Sequence, residues 1–133
     1  MSEVRSLPIR NDLDIVTARV EAREVAKELG FGTIDQARIA TATSELARNI
    51  AQYAPGGIMT IKPLNVEGRQ GIEVICEDNG PGIEDVELAM QDGYSTSEGL
   101  GKGLPGAKRL MHDFEIESVL GQGTRVTTRR WLR

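Results

Sequence analysis

At 133 residues the chain is long enough for one domain with a core of its own. With 39% apolar residues but only 4% aromatics, that core must be aliphatic. A net charge of −4 excludes a general nucleic-acid surface, which needs a basic footprint, and one cysteine, Cys76, excludes an internal disulfide and a Cys₂ or Cys₄ zinc site.

The start, Met1-Ser2-Glu3-Val4-Arg5, has no basic-then-apolar leader pattern, and no apolar run approaches the roughly 18 residues of a membrane span. The expectation is a soluble cytoplasmic protein, with residues 1–133 forming one domain. Val4 to Arg10 alternates loosely and reads as a first strand. From Leu13 the period changes: Ile15, Ala18, Ala22, Val25, Ala26 and Leu29 recur at helical spacing, and Gly30 ends that helix as a C-cap. Thr33-Ile34-Asp35-Gln36 matches a capping box. It opens a second helix with the stripe Ile39, Thr43, Leu46, Ala47, Ile50 and Ala54, which Tyr53-Ala54-Pro55-Gly56-Gly57 stops.

Two strands follow near Ile58–Pro63 and Ile72–Glu77, joined by the polar turn Asn65–Gly71. Cys76 lies in the second of them and reads as a small core residue. Val86–Met90 reads as a short helix, Asp92–Gly103 as a loop rich in Gly, Ser and Thr, and Leu104, Ala107, Leu110 and Met111 mark a third long helix. Phe114–Val119 and Thr124–Trp131 close the chain as a hairpin around Gly121-Gln122-Gly123. The cluster Arg125, Arg129, Arg130 and Arg133 reads as a solvated face or a charged edge strand. Helices plus a mostly antiparallel sheet make a two-layer α/β sandwich.

Three stretches carry chemistry. Glu45 and Asn49 lie one turn apart on the second helix, about 40° apart in rotation, at the edge of its apolar stripe. There a carboxylate can accept a hydroxyl proton and an amide oxygen suits Mg²⁺, although a Glu and an Asn on a solvated helix face look the same. Next, Glu77-Asp78-Asn79-Gly80-Pro81-Gly82 leaves an apolar strand as a tight turn in which backbone can approach a ligand. Asp78 there can accept a hydrogen bond from an exocyclic amine such as that of adenine; an ordinary Asn-Gly turn is the plainer reading. Third, Gly99-Leu100-Gly101-Lys102-Gly103-Leu104-Pro105-Gly106 lets successive N–H groups converge on an anion ahead of a helix start, with Lys102 placed to neutralise phosphate charge. Gly101, Gly103 and Gly106 also satisfy G-x-G-x-x-G, but a polar loop precedes them where a dinucleotide fingerprint needs a strand, and no Walker A lysine pattern is present. The eukaryotic-type kinase motifs are absent too. Arg48 neighbours the Glu45/Asn49 face and can reach a phosphate or pair with a carboxylate. Lys108 and Arg109 read as solvated, and the lone His112 as a surface residue without an evident partner for metal binding or acid–base work.

In order and spacing, Glu45-Leu-Ala-Arg-Asn49, Asp78-Asn-Gly-Pro-Gly82, the Gly99–Gly106 lid and Gly123-Thr124 resemble the N, G1, G2 and G3 boxes of the GHKL, or Bergerat-fold, ATPases. Within that superfamily, Ala26-Lys-Glu-Leu-Gly-Phe-Gly-Thr33, Asp92-Gly-Tyr-Ser-Thr96, Gly103-Leu-Pro-Gly-Ala-Lys-Arg-Leu-Met111 and Trp131-Leu132-Arg133 make the chain similar to the RsbT-like serine/threonine kinases of the bacterial stressosome, almost end to end. Two positions depart from that pattern: Lys102 stands where a small or apolar residue is usual, and His112 where Asp is common.

The resemblance implies a Bergerat fold, a mixed and mostly antiparallel sheet covered on one face by helices, with ATP and Mg²⁺ as cofactors. Asn49 would hold Mg²⁺ and the phosphates. Glu45 would be the general base toward a substrate serine or threonine, and Asp78, helped by Thr124, would read the adenine amine. Gly80, Gly82, Gly99, Gly101 and Gly103 would shape pocket and lid. The substrates would be STAS-domain proteins like RsbS and RsbR, after whose phosphorylation the kinase would activate an RsbU-like phosphatase through its N-terminal domain. The competing expectation is a nucleotide-dependent binding switch in the manner of the related anti-sigma factors. A histidine-kinase module is the third, against which stands the lack of a phosphoacceptor helix, since the only histidine is His112. Gyrase-like and MutL-like members carry a transducer domain for which 133 residues leave no room.

Overall fold

A computed structural model describes residues 3–83 and 104–132, the Tyr53 side chain excepted. The chain begins with β1 (Arg5–Ile9), α1 (Asp12–Leu29) and α2 (Thr33–Tyr53), continues with β2 (Gly57–Val66) and β3 (Arg69–Asp78), and ends with α3 (Leu104–Leu110), β4 (Asp113–Val119) and β5 (Gly123–Trp131). The reading of Val86–Met90 as a helix and of Asp92–Gly103 as a loop lies outside the described residues.

Local chemistry sets the helix ends. At the start of α1 the Asn11 side chain accepts the Asp14 N–H at 3.1 Å, an N-cap. At its end Gly30 takes φ +98, and the Gly30 and Phe31 N–H groups return to Lys27 and Ala26 carbonyls, the Schellman arrangement. The capping box expected at Thr33 does not form. Gly32 is the N-cap, without a side-chain bond, and Gln36 Nε2 instead donates to the Phe31 carbonyl at 2.8 Å.

The β2–β3 hairpin is tighter than the expected Asn65–Gly71 turn. Pairing runs on through Asn65↔Gln70 to Val66↔Arg69. The two turn residues, Glu67 and Gly68, both have positive φ, as a type I′ hairpin turn requires.

The five strands lie in the order β1-β2-β3-β5-β4, each neighbouring pair antiparallel. Side chains alternate across a strand, so register defines two faces. The inward face carries Leu7, Met59, Cys76, Val126 and Ile116 in one row and Ile61, Val74, Thr128 and Phe114 in the next. Against it pack Ile15, Ala18, Ala22 and Val25 of α1 and Ile39, Leu46 and Ile50 of α2. Burying each of the larger aliphatic side chains contributes about 1.5–3 kcal/mol. The two-layer α/β sandwich is therefore the observed architecture.

On the opposite face Glu73, only 5% exposed, lies between Lys62 at 3.2 Å and Arg129 at 2.6 Å. A buried carboxylate needs such partners. Arg125, Arg129 and Arg130 are thus not on an edge strand. β5 is interior, Arg129 answers Glu73 and Arg130 is buried. The third helix, expected to be long, ends at Leu110. There the backbone turns back into β4: the His112 N–H donates to the Arg129 carbonyl, and His112 Nδ1 accepts the Trp131 N–H, both at 2.9 Å. His112 therefore has a partner, and it fastens a corner.

Candidate functional site

One end of the sheet's inward face carries a row that turns polar beyond Ile9: Ile9, Gly57, Asp78, Thr124 and Ser118, consecutive in register across the five strands. Over it opens a cavity. Leu46, Asn49, Ile50 and Ala54 line it from α2 and its C-cap. Cys76, Asp78, Thr124 and Val126 line it from the sheet. Pro81, Gly82 and Ile83 of the turn after β3, with Leu104 of α3, complete it.

Asn49, Asp78 and Thr124, far apart in sequence, are thus brought to one cavity. Asn49 Nδ2 is buried and has no hydrogen-bond partner among the described residues. A buried amide donor left unpaired costs about 1–3 kcal/mol, so its place in the cavity wall suits a ligand that accepts. Asp78 Oδ1 accepts the Gly80 N–H at 2.8 Å, an Asx-type turn. Thr124 Oγ1 lies 2.9 Å from Ser118 Oγ. Burial, then the negative charges of Asp78 and Glu77, push the Cys76 thiol far up, so it is an inert apolar wall.

The glycines of the turn serve packing. A Cβ at Gly80 would meet Ala54 Cβ at 2.8 Å, and one at Gly82, where φ is +76, would meet the Val119 carbonyl oxygen at 2.6 Å. The same glycines let the turn lie close against Ala54, the C-cap of α2, and Val119, the end of β4, while Gly82 stays in the cavity wall. The turn is also tied down at two points. Ile83 N–H donates to Ser118 Oγ at 2.7 Å, and Gly121 N–H to the Pro81 carbonyl at 2.8 Å.

Glu45 is half-buried, with Arg48 Nη1 3.2 Å from its Oε1; it does not line the cavity. Arg48 takes the carboxylate of the two expected roles. Gly99, Gly101, Lys102 and Gly103 lie outside the described residues. No group of three or more His, Cys, Asp or Glu among the described residues could hold a metal ion. Ser118, Ile83 and Gly57 belong to the site and were not singled out from the sequence. The available signal for Ser118 was its period-2 phase with Phe114 and Ile116, which places it inward at the end of β4.

Residues 34–132 match the model of a family described as histidine kinase-, DNA gyrase B-, and HSP90-like ATPase. Over 133 residues, all of both chains, the sequence is 53% identical to the serine/threonine-protein kinase RsbT of Bacillus subtilis. It is 38% identical over 121 residues to an anti-sigma F factor of Caldanaerobacter subterraneus, covering 86% of this chain and 83% of that one. In fold it is similar to the mycobacterial sensor histidine kinase MprB, with a TM-score of 0.58 over 98% of this chain and 97% of the other at 15% identity. The catalytic domain of the histidine kinase ThkA gives a TM-score of 0.57 over 98% of both chains at 16% identity. No helix among the described residues is long and apolar enough to cross a membrane.

Proposed function

Because the chain belongs to the histidine kinase-, DNA gyrase B- and HSP90-like ATPase family, we propose that the cavity between α2 and the sheet is its ATP site, with Asn49, Asp78 and Thr124 as the nucleotide contacts. The chain is a protein serine/threonine kinase, as its full-length identity to RsbT carries. The observation that carries the site is the buried Asn49 Nδ2, without a partner among the described residues, in the same cavity wall as Leu46 and Ile50. Apolar walls suit a base, and a carboxylate at one end suits its exocyclic amine.

Mg²⁺ fits this donor set as an ion held by one amide oxygen and the phosphates of its nucleotide. It prefers oxygen ligands, keeps several waters and needs no all-protein cage. When bound, it supplies charge neutralisation to the phosphates. Asn49 would hold it, and Glu45, one helical turn earlier on α2, would take the proton of an incoming serine or threonine hydroxyl. Gly99, Gly101, Lys102 and Gly103 would cover the phosphates, and Gly80 and Gly82 keep the Asp78 turn in place.

The proposed substrates are STAS-domain proteins like RsbS and RsbR in the cytoplasm, and the proposed later partner is the N-terminal domain of an RsbU-like phosphatase. Likeness to anti-sigma F factors favours a second reading, a nucleotide-dependent binding switch. The two are compatible, since each state of the kinase need only bind its partners differently. The test is purified chain with labelled ATP, Mg²⁺ and STAS-domain proteins. Label on serine or threonine, abolished by Asn49→Ala, is expected. Capture of a sigma factor with no label transferred would leave the switch alone standing.

A further inference from the structure

Arg130 lies on the inward face of β5, beside Ile72 in register, and is 8% exposed. Arginine is almost never buried to this extent unless its charge is engaged. Here two helices engage it. Nη1 donates to the carbonyl of Leu110, the last residue of α3, at 2.8 Å, and Nη2 donates to Asp35 Oδ1, in the first turn of α2, at 2.9 Å. Both contacts have the sign the helix dipoles favour, a cation at one C-terminus and a carboxylate at the other helix's N-terminus.

The consequence lies at the far end of α3. Seven residues are too few for a helix to hold its place without tertiary support. Ala107 and Met111 give it an apolar footing, and Arg130 fixes its final carbonyl. Its first residue, Leu104, is 3% exposed and lines the cavity. Thr124, another cavity residue, stands on the same strand as Arg130.

We propose that Arg130 is a positioning residue for nucleotide binding. It touches no ligand, and by tying the C-terminal carbonyl of α3 to β5 it sets where Leu104 stands in the cavity wall. The inference rests on the reading of that cavity as the ATP site. It assigns to a residue outside every recognised motif a share of the nucleotide affinity.

The experiment compares wild type, Arg130→Gln, Arg130→Lys and Asp35→Asn in ATP titration, steady-state kinetics and amide hydrogen exchange. Wild type should bind ATP; if it does not, the cavity reading fails and the role of Arg130 falls with it. With wild type binding, Arg130→Gln should raise the KM for ATP about tenfold, the loss of one charge-assisted hydrogen bond. Its kcat should stay within about twofold, and the α3 amides should exchange faster. Asp35→Asn removes a neighbour of the same guanidinium but leaves the bond to Leu110, so it should lower thermal stability and leave the KM unchanged. If Arg130→Gln does not fold, Arg130→Lys carries the test, with a KM raised about threefold because one ammonium, drawn to the Asp35 carboxylate, holds the Leu110 carbonyl less firmly. A wild-type KM in the folded Arg130 variants, or an equal rise in Asp35→Asn, overturns the proposal.

Discussion

Glu45 Oε1 and Arg48 Nη1 stand 3.2 Å apart on α2, Glu45 one turn and Arg48 one residue before the cavity residue Asn49. Their side chains are 32% and 46% exposed, so the pair contributes only about 0.3–0.5 kcal/mol and orients the carboxylate without locking it. As general base, Glu45 is expected to act on the acceptor hydroxyl and not on ATP. Glu45→Ala should therefore lower phosphoryl transfer by about 10²–10⁴-fold with the KM for ATP little changed. Labelled-ATP assays at saturating and limiting ATP check this. A loss carried entirely by the KM would make Glu45 a nucleotide ligand instead.

Asp78→Asn separates turn structure from base recognition. Asp78 Oδ1 holds the Gly80 N–H, and an asparagine oxygen can hold it as well. The second carboxylate oxygen becomes an NH₂, which opposes an exocyclic amine where the carboxylate accepted from it. ATP affinity should fall about ten- to hundredfold while the melting temperature stays near wild type. Isothermal titration beside a thermal melt measures both, and unchanged affinity would move adenine recognition away from Asp78.

The fold was legible wherever one period governed a segment. The stripe of α2 from Ile39 to Ile50, the Gly30 cap and the closing hairpin all follow from spacing and turn chemistry. The capping box at Thr33 failed because Gly32 already supplies the extended N-cap backbone, and Gln36 bonds backward to Phe31. For the β5 arginines the solvated-face alternative holds at the exposed Arg125, and the edge-strand alternative fails because composition does not tell which strand lies interior; only long-range pairing of β5 with both β3 and β4 does. Asn49, Asp78 and Thr124 were legible as separate motifs. Ser118 was not, because it acts by holding the Ile83 N–H across 35 positions.

Gly123→Ala tests whether the Asp78 turn is held by packing. At Gly123 φ is +136 and a Cβ would lie 2.0 Å from the Asp78 carbonyl oxygen. Backbone must shift or β5 must part from β3, so a loss of about 2 kcal/mol or more is expected. Nucleotide affinity should fall with it, since Asp78 moves. Gly121→Ala is the control: φ there is +81 but the space is open, so it should cost about 1 kcal/mol and leave affinity intact. Urea unfolding and ATP titration on both variants give the comparison, and equal effects would deny a special role to the Gly123 contact.

Acid sensitivity should trace to the junction of α2 and β5. Burial works against the charged form of Asp35, but the guanidinium of Arg130, with Arg38 beside it, outweighs that and holds the carboxyl below its ordinary 3.8. A folded-state value below the unfolded one means the stabilisation is complete above the unfolded value and is lost as pH falls through the folded one. Asp14 shifts the same way, through its hydrogen bonds to the Arg10 side chain and backbone N–H. The urea midpoint of the wild type should fall from pH 7 to about pH 3.5. Asp35→Asn, which has no proton to gain there, should begin lower at pH 7 and fall less, with the remaining slope carried by Asp14 and the other carboxylates. Parallel decline in the two proteins would mean that the Asp35–Arg130 pair contributes nothing to the acid limit.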